Sequence, residues 1–150
     1  MNRLPVVSAG EISVLDSSVL VAALVEAEQH HIASGELLDK PGMHIHAHAL
    51  AETFSTLTAG RLGYRVLPET AMELLEQSVL PYVGVITLSA KEMTMGLKGA
   101  PSRGIRGAVL YDYLHLVAAR KAKARRLYTL DVANFRSFHR AGDPEILLPI

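Results

Sequence analysis

The sequence predicts an α/β fold, a central parallel sheet flanked by helices. Three observations carry this. Short apolar runs of strand length alternate with helical stretches along the whole chain, and such alternation implies parallel strands joined by right-handed crossovers. At 150 residues, with 49% hydrophobic and 20% charged content, there is core enough for one domain and too much apolar material for disorder. Acidic residues directly follow two of the apolar runs, where open parallel sheets build their sites.

The elements follow in order. Residues 1–11 (MNRLPVVSAGE) read as a loose leader without the apolar stretch of a signal peptide, and residues 12–150 as a single domain. Ile12–Leu15 (ISVL) is a short buried strand. Ser17 and Ser18 offer capping hydroxyls to a helix through Val19–Glu26. A second helix covers Ile32–Leu38 and stops near Pro41-Gly42. Met43–His46 is a strand candidate. Ala47–Thr58 is a helix with Ala47, Leu50, Phe54 and Leu57 on one stripe, ended by Gly60. Pro68 opens the helix Pro68–Val79, since a first-turn proline lacks only an N–H that would be orphaned anyway. Val83–Leu88 is a strand, and Ser89 caps a helix from Ala90 to Leu97. Lys98–Gly107 (KGAPSRGIRG) carries three glycines, a proline and three basic residues and reads as a loop. Ala108–Ala124 is a long helix. Leu127–Leu130 (LYTL) and Glu145–Pro149 (EILLP) are the last strands.

Composition narrows the chemistry. The absence of cysteine excludes disulfides, thiolate zinc sites and cysteine nucleophiles, and suits a reducing cytoplasm. No run approaches the roughly eighteen apolar residues of a membrane helix. Formal charge is zero, 15 basic against 15 acidic residues. If four acids hold metal, the remainder carries 15 − 11 = +4, so total charge does not exclude nucleic acid.

Those four acids are Asp16, Glu52, Asp112 and Asp131. Asp16 follows ISVL directly; capping of the next helix accounts for it when it is taken alone. Glu52 lies opposite the apolar stripe of its helix and, alone, reads as a solvated partner of His48. Asp112 interrupts a helix that is apolar on most sides, with Leu110, Tyr113, Leu114 and Val117 on one face. A buried unpaired carboxylate costs several kcal/mol or shifts its pKa. A site role and a structural partner such as Arg120 or Arg125 explain it equally. Asp131 follows LYTL, where a turn aspartate is the ordinary reading; Thr129 and Asn134 add oxygen ligands or donors. As a set these are oxygen ligands without cysteine or a histidine pair, a composition favoured by Mg²⁺ or Mn²⁺. His44, His46 and His48 alternate, but a strand running into a helix is expected to scatter them. His115, three residues after Asp112 on the same helical face, is either a packed histidine or a group hydrogen-bonded within the site.

The blocks VLDSSVLVAAL, HALAETFSTLTAGR and RGAVLYDYLHLVAARKAKARRLYTLDVANF resemble PIN-domain ribonucleases, and among them the VapC toxins of toxin–antitoxin pairs. They run from Val14 to Phe135, with 36, 60 and 19 residues between successive acids. The resemblance implies a PIN-like three-layer fold and Mg²⁺- or Mn²⁺-dependent endonucleolytic cleavage of RNA. It places Asp16, Glu52, Asp112 and Asp131 on the family's acidic positions, and Ser18 and Thr129 on supporting hydroxyl positions. It implies a homodimer and a cognate VapB-type antitoxin covering the acidic pocket. Asn134 stands where some members carry a further aspartate, and the leader is longer than usual. Lys98, Arg103 and Arg106, then Arg61 and Arg65, are the candidates for gripping RNA phosphates. The alternatives are a PIN nuclease of RNA processing, an inactive PIN scaffold that only binds, and a receiver-like signalling domain. The last needs paired acids after the first strand and a lysine near the end of the last, which this chain lacks.

Overall fold

Val14 and Leu15 are adjacent and both fully buried, yet they belong to different apolar clusters. Successive side chains of a strand point to opposite faces, so the strand that carries them is covered on both sides, as parallel sheets are. The computed structural model describes residues 10–150. Its strands are β1 (Ser13–Leu15), β2 (Met43–His46), β3 (Gly84–Ile86), β4 (Arg126–Tyr128) and β5 (Glu145–Leu147). The helices are α1 (Ser17–Leu24), α2 (His31–Leu38), α3 (His48–Ala59), α4 (Pro68–Ser78), α5 (Ala90–Gly99), α6 (Val109–Lys121) and α7 (Val132–Phe138). All pairings are parallel, in the order β3-β2-β1-β4-β5.

One face of the sheet packs Leu15, Ile45 and Met43 against Val19 and Leu20 of α1, Leu37 of α2, Ala49 of α3 and Leu75 of α4. The other packs Val14, Leu127 and Ile146 against Tyr113 and Leu116 of α6 and Phe135 and Phe138 of α7. The three-layer arrangement expected from the alternation is what forms. The strand order reverses direction at β1: the chain builds outward through β2 and β3, then returns to place β4 and β5 on the opposite side. The crevice at that reversal is the usual place for a site in an open α/β sheet.

Several local expectations change. Asp16, not a serine, caps α1: its carboxylate accepts from Val19 N at 3.2 Å, and Ser17 and Ser18 begin the helix. The stretch read as a loop is helical at its start. α5 runs through Lys98 to Gly99, and Pro101–Arg103 forms a 3-10 turn. The long helix stops at Lys121 rather than Ala124, where Lys123 takes a positive φ of 55°. α7 was not foreseen; Asp131 caps it through Asn134 N at 3.3 Å, and Phe135 and Phe138 bury its inner face. Of the predicted leader, residues 1–9 lie outside the described residues. Glu11 pairs with Arg125 at 2.9 Å and Arg126 at 3.6 Å, at the opposite end of the strands from the acids.

Candidate active site

Asp16 and Asp131 follow β1 and β4, the two central strands at the reversal. Asp16 is 3% exposed, and its carboxylate is held from three sides. Oδ1 accepts from Val19 N and from the Ser18 hydroxyl at 2.5 Å. Oδ2 accepts from the fully buried Thr129 hydroxyl at 2.6 Å. Burial raises its pKa, partly offset by the field of His115 and by these donors. Ser18 and Thr129 also tie the next loop to the site. Leu130 N donates to Ser18 Oγ at 2.9 Å, and Asp131 N donates to Thr129 Oγ1 at 3.0 Å.

Asp112 enters from the first turn of α6. Neither arginine expected beside it reaches it: Arg120 lies 3.5 Å from Asp143 and Arg125 pairs with Glu11. Its hydrogen-bond partner is Asn134, whose Nδ2 donates to Oδ2 at 2.7 Å. Asn134 therefore joins Asp112 to Asp131, donating its side-chain amide to one and its backbone N–H to the other. Burial, followed by the fields of Asp16, Glu52 and Asp131, pushes the Asp112 carboxyl up to about 6, against the counter-pull of His115. Asp112 thus lies within electrostatic reach of the other three acids.

Glu52 is not the solvated residue its helix position implied. Oε1 accepts from His115 Nε2 at 2.6 Å and from His48 Nδ1 at 3.0 Å. His115 is fully buried on α6, and its Nδ1 has no partner among the described residues. Burial opposes charge on this ring, but the bond to Glu52 and the fields of Asp16 and Asp112 outweigh it and raise its pKa. Burial likewise works against the Glu52 carboxylate, and the two imidazoles more than compensate, holding its pKa low. The histidines are gathered rather than scattered. His46 stacks on His48 at 6.2 Å between centroids and meets His115 edge-on at 5.8 Å. Burial and the neighbouring imidazoles hold His46 down at about 4. His44 alone stands apart, donating to Gly42 O at 3.0 Å.

Each carboxylate oxygen has two acceptor positions. After these bonds Asp16 keeps one on Oδ2, while Asp112 Oδ1 and Asp131 Oδ2 have no partner among the described residues. Open carboxylate oxygens gathered around Asp112, whose pKa its acidic neighbours raise, are the donor chemistry of a hard divalent cation. The side chains stand apart as placed: among the described residues no three His, Asp or Glu converge at metal-holding distance.

The basic candidates separate. Arg103 is 11% exposed, donates to both oxygens of Asp143 and to Phe138 O, and lies over the Tyr113 ring. Its guanidinium is thus engaged within the fold. Lys98, Arg106, Arg61 and Arg65 are exposed.

A family model described as PIN domain matches residues 13–141. No curated protein matches the sequence. Among solved structures, the chain is similar in fold to VapC20 of Mycobacterium tuberculosis, a toxin that cleaves the sarcin-ricin loop. The TM-score is 0.65 at 19% identity, over 88% of this chain and 99% of that one. It is also similar to VapBC2 of Rickettsia felis bound to a promoter DNA fragment, with TM-score 0.65, 20% identity and coverage of 91% and 98%. The DNA-bound VapBC of Salmonella typhimurium gives TM-score 0.65, 17% identity and coverage of 93% and 99%.

Proposed function

The chain belongs to the PIN domain family, and from that premise and the geometry of its acids we propose that it is a metal-dependent endoribonuclease, the toxin of a VapBC-type pair. The observation that carries the reading is the network itself. Asp16, Asp112 and Asp131, from three segments, are linked at the reversal of the sheet through Thr129 and Asn134, and Glu52 meets His115 of the helix that carries Asp112, with acceptor positions left open.

Asp16, Asp112 and Asp131 would hold Mg²⁺ or Mn²⁺, with Glu52 at its margin. When bound, the ion supplies an activated water and charge neutralisation on the scissile phosphate. The rest is the work of the chain. Thr129 and Ser18 keep Asp16 in one orientation while it is buried. Asn134 holds Asp112 from one oxygen and leaves the other open. His48 and His115 both occupy Oε1 of Glu52, so Oε2 is the oxygen that can orient a water or take its proton. Attack by water leaves a 3′-hydroxyl and a 5′-phosphate. Arg106, in the turn before α6, and Lys98, Arg61 and Arg65 supply phosphate contacts that position without reading sequence.

Likeness to VapBC assemblies supports a VapB-type antitoxin; a homodimer and a cytoplasmic setting are further parts of the same proposal. Among the described residues no helix is long and apolar enough to cross a membrane. The test is cleavage of a mixed RNA pool by the purified chain with Mg²⁺, with Mn²⁺ and with EDTA. Metal-dependent products carrying 5′-phosphates support it. Intact RNA in every arm refutes nuclease action, and cleavage without growth arrest on expression points to a processing nuclease.

A further inference from the structure

Tyr111 directly precedes Asp112 and is 48% exposed. A lone exposed aromatic is common and needs no explanation. This one is held in place. Its ring lies parallel to His48, 5° between planes and 5.1 Å between centroids. His48 in turn is anchored by its Nδ1 on Glu52 at 3.0 Å and backed by His46. One face of the tyrosine is therefore covered by a fixed imidazole, and nearly half of the residue stays open. The open ring stands one residue from Asp112 and is tied through one histidine to Glu52.

We infer that Tyr111, backed by His48, is a stacking platform for an unpaired nucleobase of the RNA substrate, beside the scissile phosphate. The inference rests on the ribonuclease reading above and adds to it a positioning residue. Single-stranded RNA is gripped by stacking splayed bases on aromatic side chains, and a ring ordered before binding loses little freedom when a base arrives. The geometry also says what is recognised: a flat π face, not a particular base edge, since every base offers one. An unpaired base is required, because a base within a duplex has both faces occupied.

The test measures binding apart from cleavage. A short single-stranded RNA carrying 2-aminopurine, moved one position at a time, is titrated with the full chain in EDTA. Quenching confined to one or two positions is expected for the wild type. Tyr111→Ala should remove that quenching and weaken binding by about 5- to 150-fold, the range of a lost base–aromatic stack. Tyr111→Phe and Tyr111→Trp should retain both effects, and Tyr111→Leu, apolar but without a π face, should behave like the alanine variant. Circular dichroism and melting confirm that each variant is folded. Unchanged affinity and quenching in Tyr111→Ala overturn the platform. So does a leucine variant that binds like wild type, or an alanine variant whose only defect is weaker self-association. If the wild type cleaves RNA and Tyr111→Ala matches it in both KM and kcat, the platform fails and the ribonuclease reading stands. If the wild type neither binds nor cleaves, both fail.

Discussion

Replacing Asp112 with asparagine should make the metal-free protein more stable while disabling it. In the folded chain burial and the fields of Asp16, Glu52 and Asp131 lift this carboxyl from 3.8 to about 6. The unfolded chain gives up the proton near 3.8 and the folded chain only near 6. Between those values the folded state binds more protons, so its stability falls as pH rises. At neutral pH the full penalty has accrued. At about 1.4 kcal/mol per pH unit it is at most about 3 kcal/mol. The carboxyl is partly open to water, whose screening reduces this to roughly 1–2 kcal/mol. Asparagine carries no charge and keeps an oxygen for the Asn134 amide. In a chain of this size the gain corresponds to about 2–8 °C in Tm. The assay is thermal melting in EDTA at pH 7.5 and in steps down to pH 4. The variant should melt higher at pH 7.5, and the difference should shrink as pH falls through 6 towards 4. Added Mg²⁺ should raise the Tm of the wild type far more than that of the variant, and cleavage should drop on the order of 10²-fold or more. A variant less stable than wild type at pH 7.5, or a gain undiminished at pH 4, would refute the crowding of charge at Asp112.

His115→Phe keeps a buried aromatic ring, though a larger one, and removes the 2.6 Å bond to Glu52; it should cost about 1–3 kcal/mol in urea unfolding and lower kcat more than it raises KM. Thr129→Val strips a donor from Asp16 and an acceptor from Asp131 N; it should destabilise by about 1–3 kcal/mol, and Thr129→Ser should restore both stability and cleavage. Arg103→Met breaks the Asp143 pair and should lower Tm without changing RNA affinity. Arg106→Ala should leave Tm unchanged and reduce the salt dependence of RNA binding by about one counterion.

Much of the fold was legible because the strands are short apolar runs separated by capped helices. Pro68, Ser89 and Gly60 mark three helix ends where the sequence places them. α7 was not legible. Val132–Phe138 is only seven residues, with one β-branched and two aromatic side chains, and its helicity draws on the Asp131 cap and on the burial of two phenylalanines, which is a tertiary fact. α5 outlasts Leu97 and runs to Gly99, and Gly96 lies against Val117 of α6, a contact that no local pattern shows. At the candidate site, Asp112 stood out within an apolar helix, whereas Asp16 and Asp131, each taken alone, read as a cap and a turn residue, and both do cap helices. Glu52 could not be placed by physics from its own helix, since its partner His115 lies 63 residues away. His46 and His48 were misread for a related reason. Alternation on a strand describes two faces, but the turn into α3 brings the rings back together.

Two of the four acids hold up helices as well as the site: Asp16 caps α1 and Asp131 caps α7. This makes loss of function hard to separate genetically from loss of protein. On the proposed nuclease reading, most amino acids at either position would remove a helix cap and a metal ligand in one step, so random inactivating mutants would often show scarcity of folded chain. Asparagine is the exception, since it caps as well as aspartate does and carries no charge. A folded but silent copy of this protein, useful as a decoy that still engages its partners, is therefore reached from either position by a single conservative exchange.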